Sequence, residues 1–353
     1  MGLNILAFTR YERMGASSRV RFLQYIPHLE SKGARITVHS LFSEDYLVRL
    51  YESGTRSVSG VMSAMTRRLG QALTANNADV IWLQREVLPF LPFVAENLLL
   101  AGKPLVIDFD DAHHLYYRNS GSHVVRRMFG DKIDRLMRRA SVVTVGNQTL
   151  FDYAQAAGAR DVRLIPSAVD VQRFLDRPLP KVFTVGWIGT PVTAEEAFPP
   201  VLASLTRFLA ETGAKCILVG ARPNQFPGLN AEYVPWSEAV EADALGRMSA
   251  GLCPLADTSW NRGKSGYKII QYMAAGRATL TSPVGIAASI VTPGATGFPC
   301  VSPEDWYGNL MQLYRNPTLC ASLGARAQET ALREYDTAVA AAKLYDLLSA
   351  AAR

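Results

Sequence analysis

The chain has 353 residues, enough for two domains with buried cores, and a formal net charge of +6. With 48% hydrophobic and 19% charged residues it is too apolar for a disordered chain, and no apolar run reaches the roughly 18–20 residues that cross a bilayer. The excess charge lies wholly in the N-terminal half, where residues 1–175 hold 22 Lys+Arg against 16 Asp+Glu, while the remainder holds 15 of each.

In chain order, Asn4-Ile5-Leu6-Ala7-Phe8 reads as a first buried strand, and the start of the chain lacks the charged n-region and long h-region of a signal peptide. Short apolar strands are predicted at 35–40, 80–83, 105–108, 142–145 and 162–165, with helical stretches such as 18–32 between them. Arg177-Pro178-Leu179-Pro180 is a proline-rich linker. A second series of strands follows at 184–188, 215–219, 251–254, 279–282 and 297–300, and the alanine-rich tail 337–353 reads as a helix. Strands alternating with helices, twice over, predict an α/β protein with two doubly wound parallel sheets. Cys216, Cys253, Cys300 and Cys320 form no Cys-x-x-Cys pair, so they fit buried thiols in a reducing cytoplasm better than a zinc site or a disulfide framework.

Several stretches carry chemistry. Arg13-Met14-Gly15-Ala16-Ser17-Ser18-Arg19 follows the first strand and opens the first helix, where ligands collect in open α/β sheets; Gly15, Ser17, Ser18, Arg19 and Arg21 form a candidate phosphate or acceptor loop, with a plain surface loop as the alternative. Asp108-Phe109-Asp110-Asp111-Ala112-His113-His114 ends the strand at 105–108. Asp110, Asp111 and His113 are candidates to orient or deprotonate an acceptor hydroxyl; the alternatives are helix capping, or a metal held by Asp108-x-Asp110. Between Arg118 and Arg139, basic residues (Arg126, Arg127, Lys132, Arg135, Arg138) alternate with apolar ones (Val124, Val125, Met128, Phe129, Ile133, Leu136, Met137). That pattern suits either an anionic membrane surface or a helix with one buried face. No helix-turn-helix, zinc-finger or RNP-like signature accompanies the charge, so nucleic acid is not an expected partner. In the second half, Gly189 and Thr190 form the turn after the strand at 184–188. Gly263-Lys264-Ser265-Gly266-Tyr267-Lys268-Ile269-Ile270-Gln271 reads as a loop feeding a helix, with Ser265 as N-cap and Lys264 and Lys268 adding charge to an anion-binding helix start. Its spacing is not that of a P-loop. Trp187, Trp236 and Trp260 are each candidates to wall a nucleobase or sugar pocket, or to fill a core.

The run from Gly263 to about Arg333 resembles the donor-binding half of the family 4 glycosyltransferases, which have the GT-B fold. The resemblance rests on Tyr272-Met273-Ala274-Ala275-Gly276, Ser282-Pro283-Val284-Gly285, Thr296-Gly297-Phe298 and Leu323-Gly324-Ala325-Arg326. Gly186-Trp187-Ile188-Gly189-Thr190-Pro191 and the stretch from Gly15 to Arg21 are similar to a bacterial branch of that family. The likeness covers most of the chain and thins between residues 40 and 140. It implies two Rossmann-like domains facing a cleft: an acceptor-binding domain at 1–176, a nucleotide-sugar-binding domain at 177–335, and a final helix at 336–353 packing back on the first. The chain departs from the family in two places. Relatives carry an arginine and a lysine after the Gly189-Thr190 turn; here Val192-Thr193-Ala194-Glu195-Glu196 stands there, leaving Lys264 and Lys268 to meet the diphosphate. The family's two glutamates eight positions apart fall on Gly263 and Gln271. Gln271 can still hydrogen-bond ribose hydroxyls, but Gly263 cannot replace a carboxylate, and Asp257 is a weak substitute.

The resemblance therefore implies a hexosyl- or related transferase that moves a sugar, with retention, from a nucleotide-sugar donor to a hydroxyl of a saccharide or lipid-linked saccharide. Donor-site residues would be Gly189, Thr190, Trp236, Lys264, Ser265, Gly266, Lys268 and Gln271. It would need no metal and no cofactor, since the nucleotide-sugar is a substrate, and would work in the cytoplasm, with peripheral contact to the inner face of the membrane. A nucleotide-sugar-binding or regulatory protein of the same fold, degenerate in the two-glutamate motif, is the alternative, and a nucleotide-sugar epimerase of similar fold is a third.

Overall fold

The computed structural model describes every residue except 1, 56, 74–76 and 101. The chain divides into two compact units: Met1–Ser167 with Gly263–Ser265 and Thr337–Arg353, and Ala168–Arg262 with Gly266–Asp336.

In the first unit the described strands are β1 (Asn4–Tyr11), β2 (Arg35–Phe42), β3 (Val80–Gln84), β4 (Leu105–Phe109), β5 (Val142–Val145) and β6 (Val162–Leu164). They form one parallel sheet in the order β2-β1-β3-β4-β5-β6. β3, β4 and β5 are buried along their whole length. Helices cover both faces of such a sheet, so its inner strands run apolar instead of alternating, which is why they were legible as short apolar runs. Phe22 stacks on Trp82 with ring centroids 4.1 Å apart, fixing the first helical stretch on the sheet. The helix Thr337–Ala351 belongs to this unit, where the Tyr345 hydroxyl donates to the Lys32 carbonyl over 2.9 Å.

In the second unit the described strands are β7 (Thr184–Ile188), β8 (Lys215–Val219), β9 (Glu232–Val234), β10 (Ala250–Cys253), β11 (Ala278–Thr281) and β12 (Gly297–Pro299), in the order β12-β11-β10-β7-β8-β9, again parallel. β9 was not anticipated: three residues that include a glutamate carry no apolar run. Neighbouring residues alternate between two cores, as strand geometry requires. Trp187 and Leu218 enter one with Phe198, Leu205 and Trp306; Ile188 and Ile217 enter the other with Leu245, Ile269, Ile270 and Met273. Val169, Val171 and Phe174 are also buried there, so chain before the proline-rich stretch already packs in the second unit. The buried guanidinium of Arg277 donates to the carbonyls of Arg177 (2.7 Å) and Gly246 (3.0 Å) and pins that stretch. Helix Pro317–Glu334 crosses close to the end of helix Tyr267–Ala274: a Cβ on Gly324 would lie 2.1 Å from the Gly276 carbonyl oxygen. The four cysteines are buried and none is in a disulfide. Among the described residues no helix is long and apolar enough to cross a membrane.

The basic stretch from Arg118 to Arg139 is two helices, His123–Phe129 and Lys132–Arg139. Phe129, Ile133, Leu136 and Met137 are core residues, while Val124 and Met128 are exposed with Arg126 and Arg127. Arg139 donates to Asn97 Oδ1 and to the Leu100 and Lys103 carbonyls. Lys132, which sequence alone placed in the basic patch, is buried. Its ammonium lies 2.6 Å from Glu86 Oε2, 2.8 Å from Glu96 Oε2 and 2.7 Å from the Leu88 carbonyl. A lysine inside a protein has to be paired, and two glutamates share this one. Burial, reinforced by the Glu86 charge and opposed by Lys132, raises the Glu96 carboxyl from 4.5 to about 7.

That shift has a definite sign. Between 4.5 and about 7 the folded chain holds a proton on Glu96 that the unfolded chain releases, so the group's contribution to stability is complete below 4.5 and is lost as pH rises through about 7. Glu96→Gln cannot titrate. The stability of wild type relative to Glu96→Gln, from urea unfolding at a series of pH values, should therefore fall across this window and level off above it. A difference independent of pH would show that Glu96 is not held protonated.

Candidate functional site

Strand order reverses between β1 and β3 in the first sheet and between β7 and β10 in the second, and ligands of open α/β sheets bind outside the carboxyl ends of strands at such reversals.

In the first unit, β1 leads through a tight turn into helix Ala16–Arg21. Gly15 is its N-cap, and a Cβ there would lie 2.3 Å from Tyr11 Cβ, so only glycine closes the turn. Ser18 is buried, its hydroxyl donating to Gln84 Oε1 over 2.8 Å and accepting from the Tyr11 N–H. The Ser17 hydroxyl accepts from Arg85 Nη2 over 3.0 Å. The two arginines expected to face an anion are buried. Arg19 donates to the Arg13 carbonyl. Arg21 forms a bidentate pair with Asp108 (2.9 and 2.6 Å) and donates to the Ile165 carbonyl at 2.7 Å. Burial opposes the Arg21 charge, but Asp108 more than restores it and holds the guanidinium above its usual range. Arg21 thus ties the first helix to β4 and to the end of β6.

β4 delivers the aspartates. Asp108 also accepts from the Thr144 hydroxyl at 2.6 Å, so its oxygens are engaged within the sheet. Asp110 accepts from Arg85 Nη2 at 2.8 Å and Nε at 3.3 Å; Asp111 lies 3.6 Å from Arg85 and its side chain keeps 27% exposure. Burial would push the Asp110 carboxyl up, but Arg85, His113 and Ser17 together hold it well below the usual range. Asp111 goes the other way, raised by burial and by the negative charge of Asp110. Burial, with Arg85 beside it, pushes His113 well below the ordinary imidazole value, so at neutral pH the ring is uncharged. His114 stacks on Tyr153 at 3.7 Å, and burial lowers it to about 4. The two adjacent carboxylates are thus pushed in opposite directions, one by Arg85 and the other by burial and its neighbour's charge. Among the described residues no group of three or more His, Cys, Asp or Glu is arranged to hold a metal ion.

Sequence reasoning missed Arg85. It follows β3 in the left-handed backbone region at φ 68°, unusual for a residue with a Cβ, and no motif marks it. It missed Asn147 as well, whose Nδ2 donates to the carbonyls of Gly263 (2.7 Å) and Lys264 (3.0 Å) while its Oδ1 caps the next helix. Gly263–Ser265 counts with this unit. A Cβ on Gly263 would stand 2.7 Å from Ala112 Cβ, a physical reason for glycine where the resemblance has glutamate. Lys264 acts electrostatically on Asp111.

In the second unit, Gly189 and Thr190 follow β7, and Thr190 caps helix Pro191–Ala197 in a capping box with Thr193. The Gly189 N–H is spent on the Val219 carbonyl and the Thr190 N–H on Thr193 Oγ1. Lys268 is the cation beside this turn. Its ammonium lies 4.3 Å from the Trp187 ring centroid, and a Cβ on Gly189 would come within 2.8 Å of it. Lys268 lies in the first turn of helix Tyr267–Ala274 and Lys264 two residues before its cap. Gly266, at φ 68°, is the N-cap of helix Tyr267–Ala274 in place of Ser265. Trp187 is fully buried, so it walls a core and supports Lys268, and Trp260 is half-buried. Trp236 Nε1 donates to Glu241 Oε1 at 3.4 Å, and Gln271 Nε2 donates to the same oxygen at 2.6 Å. Asp257 is paired with Arg262 on the surface.

No family profile and no curated protein matches this sequence. Solved structures do match in three dimensions. Anabaena HepE, in complex with UDP-glucose, superposes with a TM-score of 0.71 at 15% identity, over 99% of this chain and 100% of that one. Sucrose-phosphate synthase from Thermosynechococcus elongatus gives 0.68 at 14% over 99% and 100%. WaaG, a glycosyltransferase involved in lipopolysaccharide biosynthesis, gives 0.68 at 13% over 98% and 99%. At these identities the likeness speaks for fold, and the fold of this chain is that of the GT-B glycosyltransferases.

Proposed function

We propose that the protein is a glycosyltransferase that moves a sugar from a nucleotide-sugar to an acceptor hydroxyl. The observation that carries this reading is Lys268, its ammonium set beside Gly189 at the strand-order reversal of the second sheet, on a fold whose solved relatives include one bound to UDP-glucose. Lys268 neutralises the donor diphosphate and stabilises it as leaving group while the anomeric carbon–oxygen bond breaks. The acceptor oxygen forms the new bond to that carbon, with retention, and gives up its proton; within the first unit Asp111, whose proton affinity is raised while Asp110 stays ionised against Arg85, is the carboxylate suited to accept a proton. The acceptor is a saccharide or lipid-linked saccharide, and no metal takes part. Gly263, with no room for a side chain against Ala112, favours a second reading: a protein that binds nucleotide-sugars without turnover.

A panel of nucleotide-sugars tested by calorimetry and by release of nucleoside diphosphate separates the two. Lys268→Ala should weaken donor binding about ten- to a hundredfold, the value of one charge-assisted hydrogen bond. Asp111→Asn should retain binding and lose turnover. Binding without turnover across many acceptors supports the second reading; unchanged binding in Lys268→Ala removes the diphosphate assignment. Turnover should persist in EDTA, and its loss there with recovery in Mn or Mg would restore the metal reading.

The membrane reading narrows to helix His123–Phe129, where Val124 and Met128 are 62% and 53% exposed beside exposed Arg126 and Arg127. Each basic residue near an anionic surface is worth about 1 kcal/mol. The protein should float with anionic liposomes at low salt and not at high salt, and Arg126→Glu with Arg127→Glu should abolish flotation while leaving donor binding intact. Failure of the wild type to float would assign this helix to solvent alone.

A further inference from the structure

The first sheet ends at β2, and helix Val58–Leu73 packs against that edge strand through two arginines. Arg67 Nη2 donates to the Leu41 carbonyl at 2.8 Å, and Arg68 Nη2 donates to the Thr9 and His39 carbonyls. Arg68 is buried, at 1% exposure, with its guanidinium 4.9 Å from the Phe8 ring centroid. Carbonyl oxygens and a ring face hold a guanidinium without cancelling its charge. Burial, followed by the charge of Arg67, lowers Arg68 from 12.5 to about 9, so it stays ionised at neutral pH at a cost that a nearby anion would relieve. Burial and then the charge of Arg68 likewise hold His39 below the ordinary imidazole value.

Two cavities open beside this helix and β2, and Arg67 lines both. One, of about 200 Å³, is lined by Phe42 and Tyr46, whose rings stack at 4.2 Å, and by exposed Arg49, Ser63 and Arg67, with Asp45 among them. The other, of about 430 Å³, is lined by Arg13, His39, Gln71 and Glu12. Glu12 is turned to the next helix, its Oε2 accepting from the Glu44 N–H at 2.9 Å. Arginines beside a stacked aromatic pair match a sugar that bears a carboxylate: its C–H face packs on a ring, and its acid pairs with the guanidinium fork. β1 and β3 stand between β2 and β4, and three strand spacings put this groove roughly 14 Å to the side of the Asp111 edge. One sugar ring does not span that distance. We propose that the groove between helix Val58–Leu73 and β2 binds a saccharide bearing carboxylates, with Arg49 and Arg67 taking its acid groups and Phe42 and Tyr46 its ring faces, so that the acceptor is an extended chain whose far units are acidic. That last step rests on the acceptor reading of the first unit; the groove itself does not.

Calorimetry on the full chain without donor, with tetragalacturonate, galacturonate, maltotetraose and inorganic phosphate, tests this. Tetragalacturonate should bind at least about tenfold more tightly than neutral maltotetraose, the value of one charge-assisted hydrogen bond, and more tightly than the monomer or phosphate. Arg49→Ala should weaken it about ten- to a hundredfold. Arg67 also holds β2, so the deciding pair is placed at exposed Ser63 in the same lining. Ser63→Glu should weaken tetragalacturonate binding and Ser63→Lys should tighten it, each by about three- to tenfold. A structural disturbance would move both variants the same way. Absence of tetragalacturonate binding, equal binding of maltotetraose, phosphate binding as tightly as the oligomer, or a common direction for the two Ser63 variants would overturn the proposal. Tetragalacturonate binding in a protein that binds no nucleotide-sugar would keep the groove as a saccharide site and remove only its assignment to an acceptor; nucleotide-sugar turnover without tetragalacturonate binding would remove the groove and leave the transferase reading standing.

Discussion

Asp108 carries a charge in the interior of the first sheet, and the reactive edge of that unit is arranged around neutralising it. Arg21 reaches it from the first helix with two hydrogen bonds, and Thr144 reaches it from β5. Removing one partner of such a buried pair typically costs about 3–5 kcal/mol, because the other charge is stranded away from water. The pair fixes the first helix against β4 and so fixes where Ser17 stands. Ser17 and Asp110 then hold the guanidinium of Arg85, which keeps Asp110 ionised and sets it against Asp111. One buried ion pair thus supplies the frame, and a second one tunes the carboxylates beside it.

The second unit handles charge differently. Its sheet edge is cleared rather than filled: Gly189 has no side chain to obstruct Lys268, and its backbone N–H is already used. Helix Tyr267–Ala274 does most of the organising. Ile269, Ile270 and Met273 anchor it in the core, and the buried Tyr272 hydroxyl joins β7 to β10, accepting from the Ile188 N–H and donating to the Leu252 carbonyl. With that face immobile, Lys268 and Gln271 stand on a rigid support. The close crossing at Gly276 and Gly324 holds the far end of the same helix.

The sequence by itself determined the architecture. Parallel strands covered on both faces must be short apolar runs, so the α/β pattern and nearly every strand were legible, as was the turn at Gly15. Short-range signals also brought out the Asp110, Asp111 and His113 group, because residues adjacent in the chain at a strand end remain adjacent in space. What only the tertiary structure decided was the partner of each charge. Arg21 and Lys132 look like free cations in a basic half and are internal ion pairs, since the chain alone does not say which cation will find a carboxylate after folding. Arg85, Asn147 and Glu241 carry no motif, and their roles arise from contacts spanning 25, 116 and 30 residues of sequence. Local propensity and periodicity act over a few residues. The electrostatics of a site are set by distance in space, which only the folded chain provides.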